Sequence, residues 1–537
     1  MKRTFPGEQT VDVLVVGAGP VGIVTALQLA NMGVRSLVID RADTPTRFPK
    51  MDISNARTME LFQQLGVADD VRRIGVPGQH SFDVIWTIDW DRPPVAVWDL
   101  PSVETYRKTI IDKNDGSQPW QPYHRLPQST FEHYGRQMLS AHPLIDFRPG
   151  WSFVNLHQDE FGATATLADP PGGERDVRAA YVVGCDGAES AVRKSLAIAL
   201  HGQTDIPNMY MVHFQSDDRR TLQKHGQFWH VFGSRGLGLI AQDESTHWTA
   251  HAFLGPGDDP ASQPPEDVVA DRLGARVDIS RVLLTSSWRP QMLLADSYGT
   301  SRVLLAGDAV HQVFPTGGYG MNTGVGDAYD LGWKLAAVVQ GWGGPNLIAS
   351  YGSERRPVAV TNRDMAGRHA SIHLRFHEMT GNNEPPEAIG RFLRENRGEN
   401  EFLGVELDYR LRESPVVIPD GTHEPSWTPA TYTASTWPGS RAPSLLLEDG
   451  AALYSKLAPN AFTIVDFTAE GDGQAFADSG TAQKVPVHHL HLRDRTAREI
   501  WQRDLVLVRP DHFVAWRGNT PPDSPAGVIR KVTGHST

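Results

Sequence analysis
The stretch that most limits the fold of this chain is Val11-Asp12-Val13-Leu14-Val15-Val16, a nearly unbroken apolar run that ends in Gly17-Ala18-Gly19-Pro20-Val21-Gly22. Such a run predicts a strand buried on both faces of a parallel sheet. The turn fits G-x-G-x-x-G. Gly17 permits the tight turn, Gly19 (with Pro20 beside it) lets the backbone approach a pyrophosphate, and Gly22 lets the next helix lie close to the strand. Helical spacing continues over residues 22–32 (Ile23, Ala26, Leu27, Ala30), Gly33 ends the helix, and residues 34–39 read as a second strand. The free N–H groups at that helix start would face phosphate. Asp40, at the tip of the second strand, can accept both hydrogen bonds of an adenosine ribose, with Arg41 next to it. This unit alone leaves NAD and FAD equally open.

A second segment, almost three hundred residues on, narrows the choice. Val303-Leu304-Leu305-Ala306-Gly307-Asp308 is another buried-strand run with a carboxylate at its tip, placed for a second ribose or a ribityl chain. Pro315-Thr316-Gly317-Gly318-Tyr319-Gly320-Met321-Asn322 then bares backbone N–H groups before a helix predicted over residues 324–340. A helix start of this kind stabilises the negative charge that gathers on a reduced flavin ring. The alternative is an ordinary strand and turn with Asp308 as a helix cap. The two segments in this order point to non-covalently bound FAD.

Four segments resemble the class A flavoprotein aromatic hydroxylases, in particular the phenol, chlorophenol and polyketide hydroxylase branch. They are residues 17–22, residues 307–324, residues 327–357 with Asp330-Leu331-Gly332-Trp333-Lys334-Leu335, and Gly184-Cys185-Asp186-Gly187-Ala188-Glu189-Ser190-Ala191-Val192-Arg193. The resemblance implies an α/β chain with three parts. A Rossmann-like FAD-binding domain of the glutathione-reductase type would take residues 1–77, 110–200 and 285–385. A substrate-binding sheet would take 78–109 and 201–284. A helical segment and linker over 386–443 would lead to a thioredoxin-like domain at 444–537. The implied reaction consumes NADH or NADPH and O2 and hydroxylates a phenolic ring through C4a-hydroperoxyflavin. Asp186 and Gln128 are implied to contact cofactor, as are Pro315, Gly318, Gly320, Met321 and Asn322. Pro315 is also implied beside the reacting flavin edge. Two other readings stay open: a fused-ring polyketide-type substrate, and a flavin-dependent halogenase, for which Trp86-Thr87-Ile88-Asp89-Trp90 is only a superficial echo.

Composition bears on the remaining classes. At 537 residues the chain exceeds one core, so two or three domains are expected. A net charge of −12 argues against nucleic acid or an anionic membrane as partner. The single cysteine, Cys185, excludes an internal disulfide framework and a cysteine-rich metal site, and no His or carboxylate spacing suggests a metal. The first ten residues are polar, and no apolar run approaches the ~18 residues of a membrane span, so a cytoplasmic protein is expected. The last segment lacks C-x-x-C, which leaves it assembly rather than redox chemistry, in a homodimer. A chain ending near residue 431 is therefore expected to keep its FAD.

For the substrate, the resemblance selects Asp52, in Lys50-Met51-Asp52-Ile53-Ser54, where phenol hydroxylases carry an acid. An acceptor near the substrate hydroxyl makes the ring more nucleophilic. The alternative is a loop aspartate capping the helix that ends at Gly66. Arg47 and Arg57 flank the loop as possible phosphate partners. His213, His230 and His251 fall on strand-like runs and read as sheet residues rather than bases, and His311 as a packing residue.

Overall fold
The structure is a computed structural model that describes residues 9–50, 52–255 and 257–535. The apolar run forms the strand Gln9–Val16, flanked by Ser36–Asp40 and Glu174–Gly184 in one sheet. Val303–Leu305 pairs on the far side of Glu174–Gly184, and all of these neighbours run parallel. Val13, Leu14 and Val15 are completely buried, as the composition of the run requires. The register carries a functional consequence. Val16 lies opposite Ile39 and Gly184, and Gly184 opposite Leu305. Four strands thus end level, and Gly17, Asp40, Asp186 and Asp308 emerge at one edge of the sheet.

A second sheet orders its strands Arg281–Trp288, Met209–Gln215, His247–Phe253, Leu237–Ala241, His230–Gly233, Val84–Thr87, Ala96–Trp98. Strand alternation splits its residues between two faces. Val212, Phe214, Val231, Leu239 and Ala250 pack against Val268, Val269 and Leu273 of the helix Pro265–Leu273. On the other face Trp86, Phe232 and Ile240 meet Ile372 and Phe376 of the long helix Pro345–Gly381.

Two elements depart from the sequence reading. A helix, Val103–Lys113, occupies the end of the stretch 78–109 expected in the substrate-binding sheet, because Ser102 caps the Thr105 N–H and Val103 and Tyr106 turn inward. The helix expected from residue 324 starts at Tyr319. Its early glycines are packing devices rather than loop residues. A Cβ on Gly324 would lie 2.6 Å from Val21 and 3.1 Å from Gly307, so close approach outweighs glycine's poor helix propensity.

The C-terminal sheet orders Val487–His491, Phe462–Asp466, Leu505–Val508, Val514–Gly518, the first pair parallel and the others antiparallel. Residues 413–443 are irregular, as their Pro, Thr and Ser content suggests, yet Tyr432, Thr436 and Arg441 are buried. Arg441 donates through both Nε (2.9 Å) and Nη2 to Glu60 of the helix Ala56–Gln64. Further on, Arg509 donates to Glu354 at 2.9 Å, Asp330 at 2.8 Å and Asp511 at 2.6 Å. Lys334 donates to the same Glu354 at 2.6 Å and Asp330 at 2.9 Å. The tail is therefore keyed into the body by buried charge. We predict that Arg509→Ala lowers the unfolding free energy by about 3–5 kcal/mol, read by urea denaturation, since it strands buried carboxylates. The contacts bear on the expectation that a chain ending at 431 keeps its cofactor. Such a chain loses Arg441 and Arg509 and uncovers core shared with Phe462, Ile464 and Leu505, and we predict instead that it does not yield a folded, yellow protein.

Candidate active site
Steric facts at the first strand tip explain the glycine spacing. Gly17 has φ +105°, and a Cβ there would sit 2.4 Å from the Cys185 carbonyl oxygen, while one on Gly22 would sit 1.8 Å from the Gly17 oxygen. Gly19 differs: a Cβ would meet only Glu132 Oε1, at 3.9 Å, so this backbone faces open space. Gly19 opens the helix Pro20–Asn31, and Gly318 (φ +64°) opens Tyr319–Val339, and no side chain caps either start. Asn55, Ser102 and Ser190 do cap theirs. Two uncapped helix starts present N–H groups suited to phosphate and to a carbonyl-edged ring, a donor set that fits FAD.

Carboxylates surround these donors. Asp40 accepts from Ala18 N–H at 2.7 Å and Ala42 N–H at 2.8 Å and pairs with Arg136 at 3.2 Å, which ties it to the glycine turn. The Asp308 side chain reaches solvent, though its surroundings are crowded enough to desolvate it in part. That crowding raises its pKa, opposed by His311 and Lys50. Asp186 reaches the same edge, but its oxygens accept from Ser190 Oγ and from the Ala191 and Val192 N–H groups (2.5, 2.7 and 3.1 Å), so its carboxylate holds the short helix Ala191–Ser195. Gln128 donates to Glu132 at 2.7 Å, and Glu132 accepts the Thr46 N–H at 2.9 Å, bracing the loop after Asp40. Arg41 and Arg47 on that loop, and Pro315 on the other, are exposed. Arg57 is buried instead, donating to Glu60 at 3.1 Å and to the Asp511 carbonyl at 2.6 Å, so it serves the core and not a phosphate.

The glycine loop is held from behind by groups that no local pattern announces. Glu399 accepts the Gly317 N–H and the His373 Nε2 hydrogen, both at 2.8 Å. Burial pushes the Glu399 carboxyl up, but His373 outweighs it and leaves it at about 2. Asp327 accepts from Arg355 Nε and pairs with His311 Nε2, each at 2.8 Å, and reaches the Gly307 N–H at 3.2 Å. His311 is a packing residue, as expected, with 1% exposure. Asn322 joins the loop to the Asp52 segment. Its amide donates to the Ile53 and Gly318 carbonyls (3.1 and 2.6 Å) and accepts the Asn55 N–H at 3.0 Å. Gly320 and Met321 fall in the uncapped first turn.

Asp52 is not the helix cap; Asn55 is, accepting the Thr58 N–H at 2.9 Å. The Asp52 side chain crosses to the second sheet, where Oδ2 accepts from Trp229 Nε1 at 2.8 Å and meets His230 Nε2 at 3.0 Å. Burial pushes its carboxyl up, but the bond and charge of His230, with Trp229 and Arg125, prevail and hold it below the ordinary carboxylate range. His230 is thus more than a sheet residue, and its partnership was invisible in the sequence because the two lie 178 positions apart.

Family comparison agrees with this geometry. Residues 10–366 match an FAD binding domain, and residues 435–535 match the C-terminal part of aromatic-ring hydroxylases. The chain is a member of the FAD-dependent aromatic-ring hydroxylases. Its relatives include the FAD-dependent monooxygenase apdD of Emericella nidulans, 40% identical over 95% of this chain and 87% of that one. The 2,4-dichlorophenol 6-monooxygenase of Delftia acidovorans is 28% identical over 94% of each chain. The crystal structure of the flavin-dependent monooxygenase PieE with FAD and substrate superposes with TM-score 0.87 at 28% identity, covering 98% of this chain and 99% of that one. The hydroxylase therefore has a mixed α/β fold shared with FAD-bound enzymes. Among the described residues no helix is long and apolar enough to cross a membrane; residues 1–8, part of the polar start, lie outside them.

Gly22→Ala is predicted to abolish flavin retention, because the clash is with backbone. Asp308→Ala should weaken it by about 1–3 kcal/mol through a lost acceptor. Flavin content after gel filtration and a dissociation constant from fluorescence check both.

Proposed function
We propose that this hydroxylase inserts one atom of O2 into a hydroxylated aromatic ring at the expense of NADH or NADPH, with Asp52 receiving the substrate hydroxyl. Bound FAD supplies the redox chemistry, its reduction by the nicotinamide and the activation of O2, and the protein supplies binding, orientation and proton acceptance. The observation that carries the reading is the asymmetry of Asp52. Oδ2 is engaged by Trp229 and His230, while no described residue donates to Oδ1, and the side chain retains 19% exposure. An ionised carboxylate with one free oxygen accepts a phenolic hydrogen bond and draws the ring toward phenolate, which makes its carbon more nucleophilic.

The rest of the site supports the same assignment. Asn322 sets the Asp52 segment beside the uncapped helix start, so acceptor and cofactor donors share one wall. Residues 78–109 and 201–284 supply the sheet that covers the substrate, and Gly317, Gly318 and Gly320 carry no side chain that would take the room O2 needs, while Tyr319 between them turns into the core. Trp86 and Trp90 are core residues with 0% and 2% exposure, which disfavours reading that segment as halogenase machinery.

Asp52→Ala is expected to lower hydroxylation by about 10²-fold, the scale of a positioned base, with flavin retained and more reducing equivalents appearing as hydrogen peroxide. Product mass under ¹⁸O-labelled O2, scored beside NAD(P)H consumption, tests the whole reading. Label in water or peroxide alone defeats it, and an Asp52→Asn variant with unchanged rate and coupling removes Asp52 from it.

A further inference from the structure
The sheet face that carries His230 holds a second polar side chain that the hydroxylation reading leaves unused. His230 pairs with Ile240, and Gly238, two positions along that neighbouring strand, pairs with His251. Alternation puts His230, Gly238 and His251 on one face, with His251 two strands beyond His230. Two strand spacings combined with that two-residue offset put their Cα atoms about 12 Å apart. Between them Gly238 carries no side chain, and a Cβ there would touch the Phe232 ring at 3.6 Å and His251 Cβ at 3.8 Å, so the place of a side chain is left as a shallow dip flanked by those two rings. A glycine at the middle of a strand often marks a place where something else approaches the backbone.

His251 is the unsatisfied member of this face. His213 meets the Trp248 carbonyl and Thr249 Oγ1 at 3.1 and 3.0 Å, His230 meets Asp52, and His373 on the opposing helix meets Glu399. Neither nitrogen of His251 hydrogen-bonds any described residue, and Nδ1 is withdrawn from solvent without a partner. Trp288 approaches it edge-on, with ring centroids 6.0 Å apart. Burial pushes its pKa down to about 4, with Asp52 close enough to oppose that and His230 to add to it. The imidazole is therefore neutral at neutral pH, with one donor and one acceptor. Nε2, equally without a partner among the described residues, is not enclosed, and is the nitrogen a ligand can engage.

We infer that His251 is a second anchor for the substrate, which is an aromatic ring system carrying two separated oxygen functions, one received by Asp52 and the other hydrogen-bonded by His251, with its plane lying over Gly238. This rests on the reading of Asp52 as the hydroxyl acceptor. The spacing of the two anchors suits fused rings better than a single phenol.

The test uses the FAD-loaded enzyme and two probes: a monohydroxynaphthalene, and a dihydroxynaphthalene with one hydroxyl on each ring. Binding is read from the change in flavin absorbance. The diol should bind about tenfold more tightly, the worth of one good added hydrogen bond. His251→Leu should remove that preference while leaving the monohydroxy compound within about twofold, which also reports that the variant is folded. His251→Gln, which restores a donor and an acceptor, should recover part of the preference. Equal binding of both probes to the wild type, or a preference that survives His251→Leu, overturns the second anchor. If in addition the monohydroxy compound is bound and hydroxylated, only this inference falls. If neither probe binds and neither stimulates NAD(P)H oxidation, the hydroxylase reading of Asp52 falls with it.

Discussion
Lys334, Arg441 and Arg509 lie at 2% exposure or less, and the rest of the molecule is arranged around the need to neutralise them. A cation withdrawn from water is tolerated only with well-placed carboxylates. Lys334 and Arg509 share Asp330 and Glu354, and Arg509 also takes Asp511, two cations against three acids. The imbalance is relieved at Asp330, whose burial and acidic neighbours push it up to about 7 against the pull of Lys334 and Arg509, whereas Glu354 is held low by Arg509 and Lys334 despite its burial. Asp330 and Lys334 belong to the helix Tyr319–Val339, and Glu60, the partner of Arg441, to the helix Ala56–Gln64. The C-terminal chain thus grips two helices whose opposite ends carry the glycine loop and the Asp52 segment. It helps hold the site in place while none of the site residues described here comes from it.

At those opposite ends the chemistry is built by subtraction as much as by addition. The helix starts at Gly19 and Gly318 lack side-chain caps, while Asp186 and Asn322, which look like ligand contacts in the sequence, have side chains committed to backbone groups. What remains for a ligand is bare N–H groups, the Asp308 carboxylate, one oxygen of Asp52 and the unpartnered His251 imidazole. Commitment elsewhere is what makes the free groups selective, because a side chain locked by its own partners cannot rotate to compete for the ligand.

The boundary between what could be read and what could not follows the range of the interaction involved. Residues 11–40 were legible because the strand, the turn and the acid at its tip are contiguous, and Gly17 and Gly22 are demanded by contacts with Cys185, just past the adjoining strand, and within the turn itself. The 307–322 segment was legible as chemistry but not as geometry. Its helix begins five residues earlier than glycine content suggests, since Val21 and Gly307 press against Gly324. Arg57 looked like a phosphate partner for the opposite reason: its carboxylate, Glu60, is local, but the Asp511 carbonyl that draws it into the core is 454 positions away.

By itself, the sequence determined the parallel strand and glycine turn and the acid at each strand tip, which depend on residues adjacent in the chain or on a spacing that covalent geometry enforces. The family and the candidacy of Asp52 came from the resemblance of contiguous segments. Only the tertiary structure decided that His230 and Trp229 hold Asp52, that Glu399 anchors the glycine loop, and that His251 stands without a partner. Those relations join positions brought together by sheet register and helix packing, and register is set by the summed burial of whole strands, which no single motif encodes.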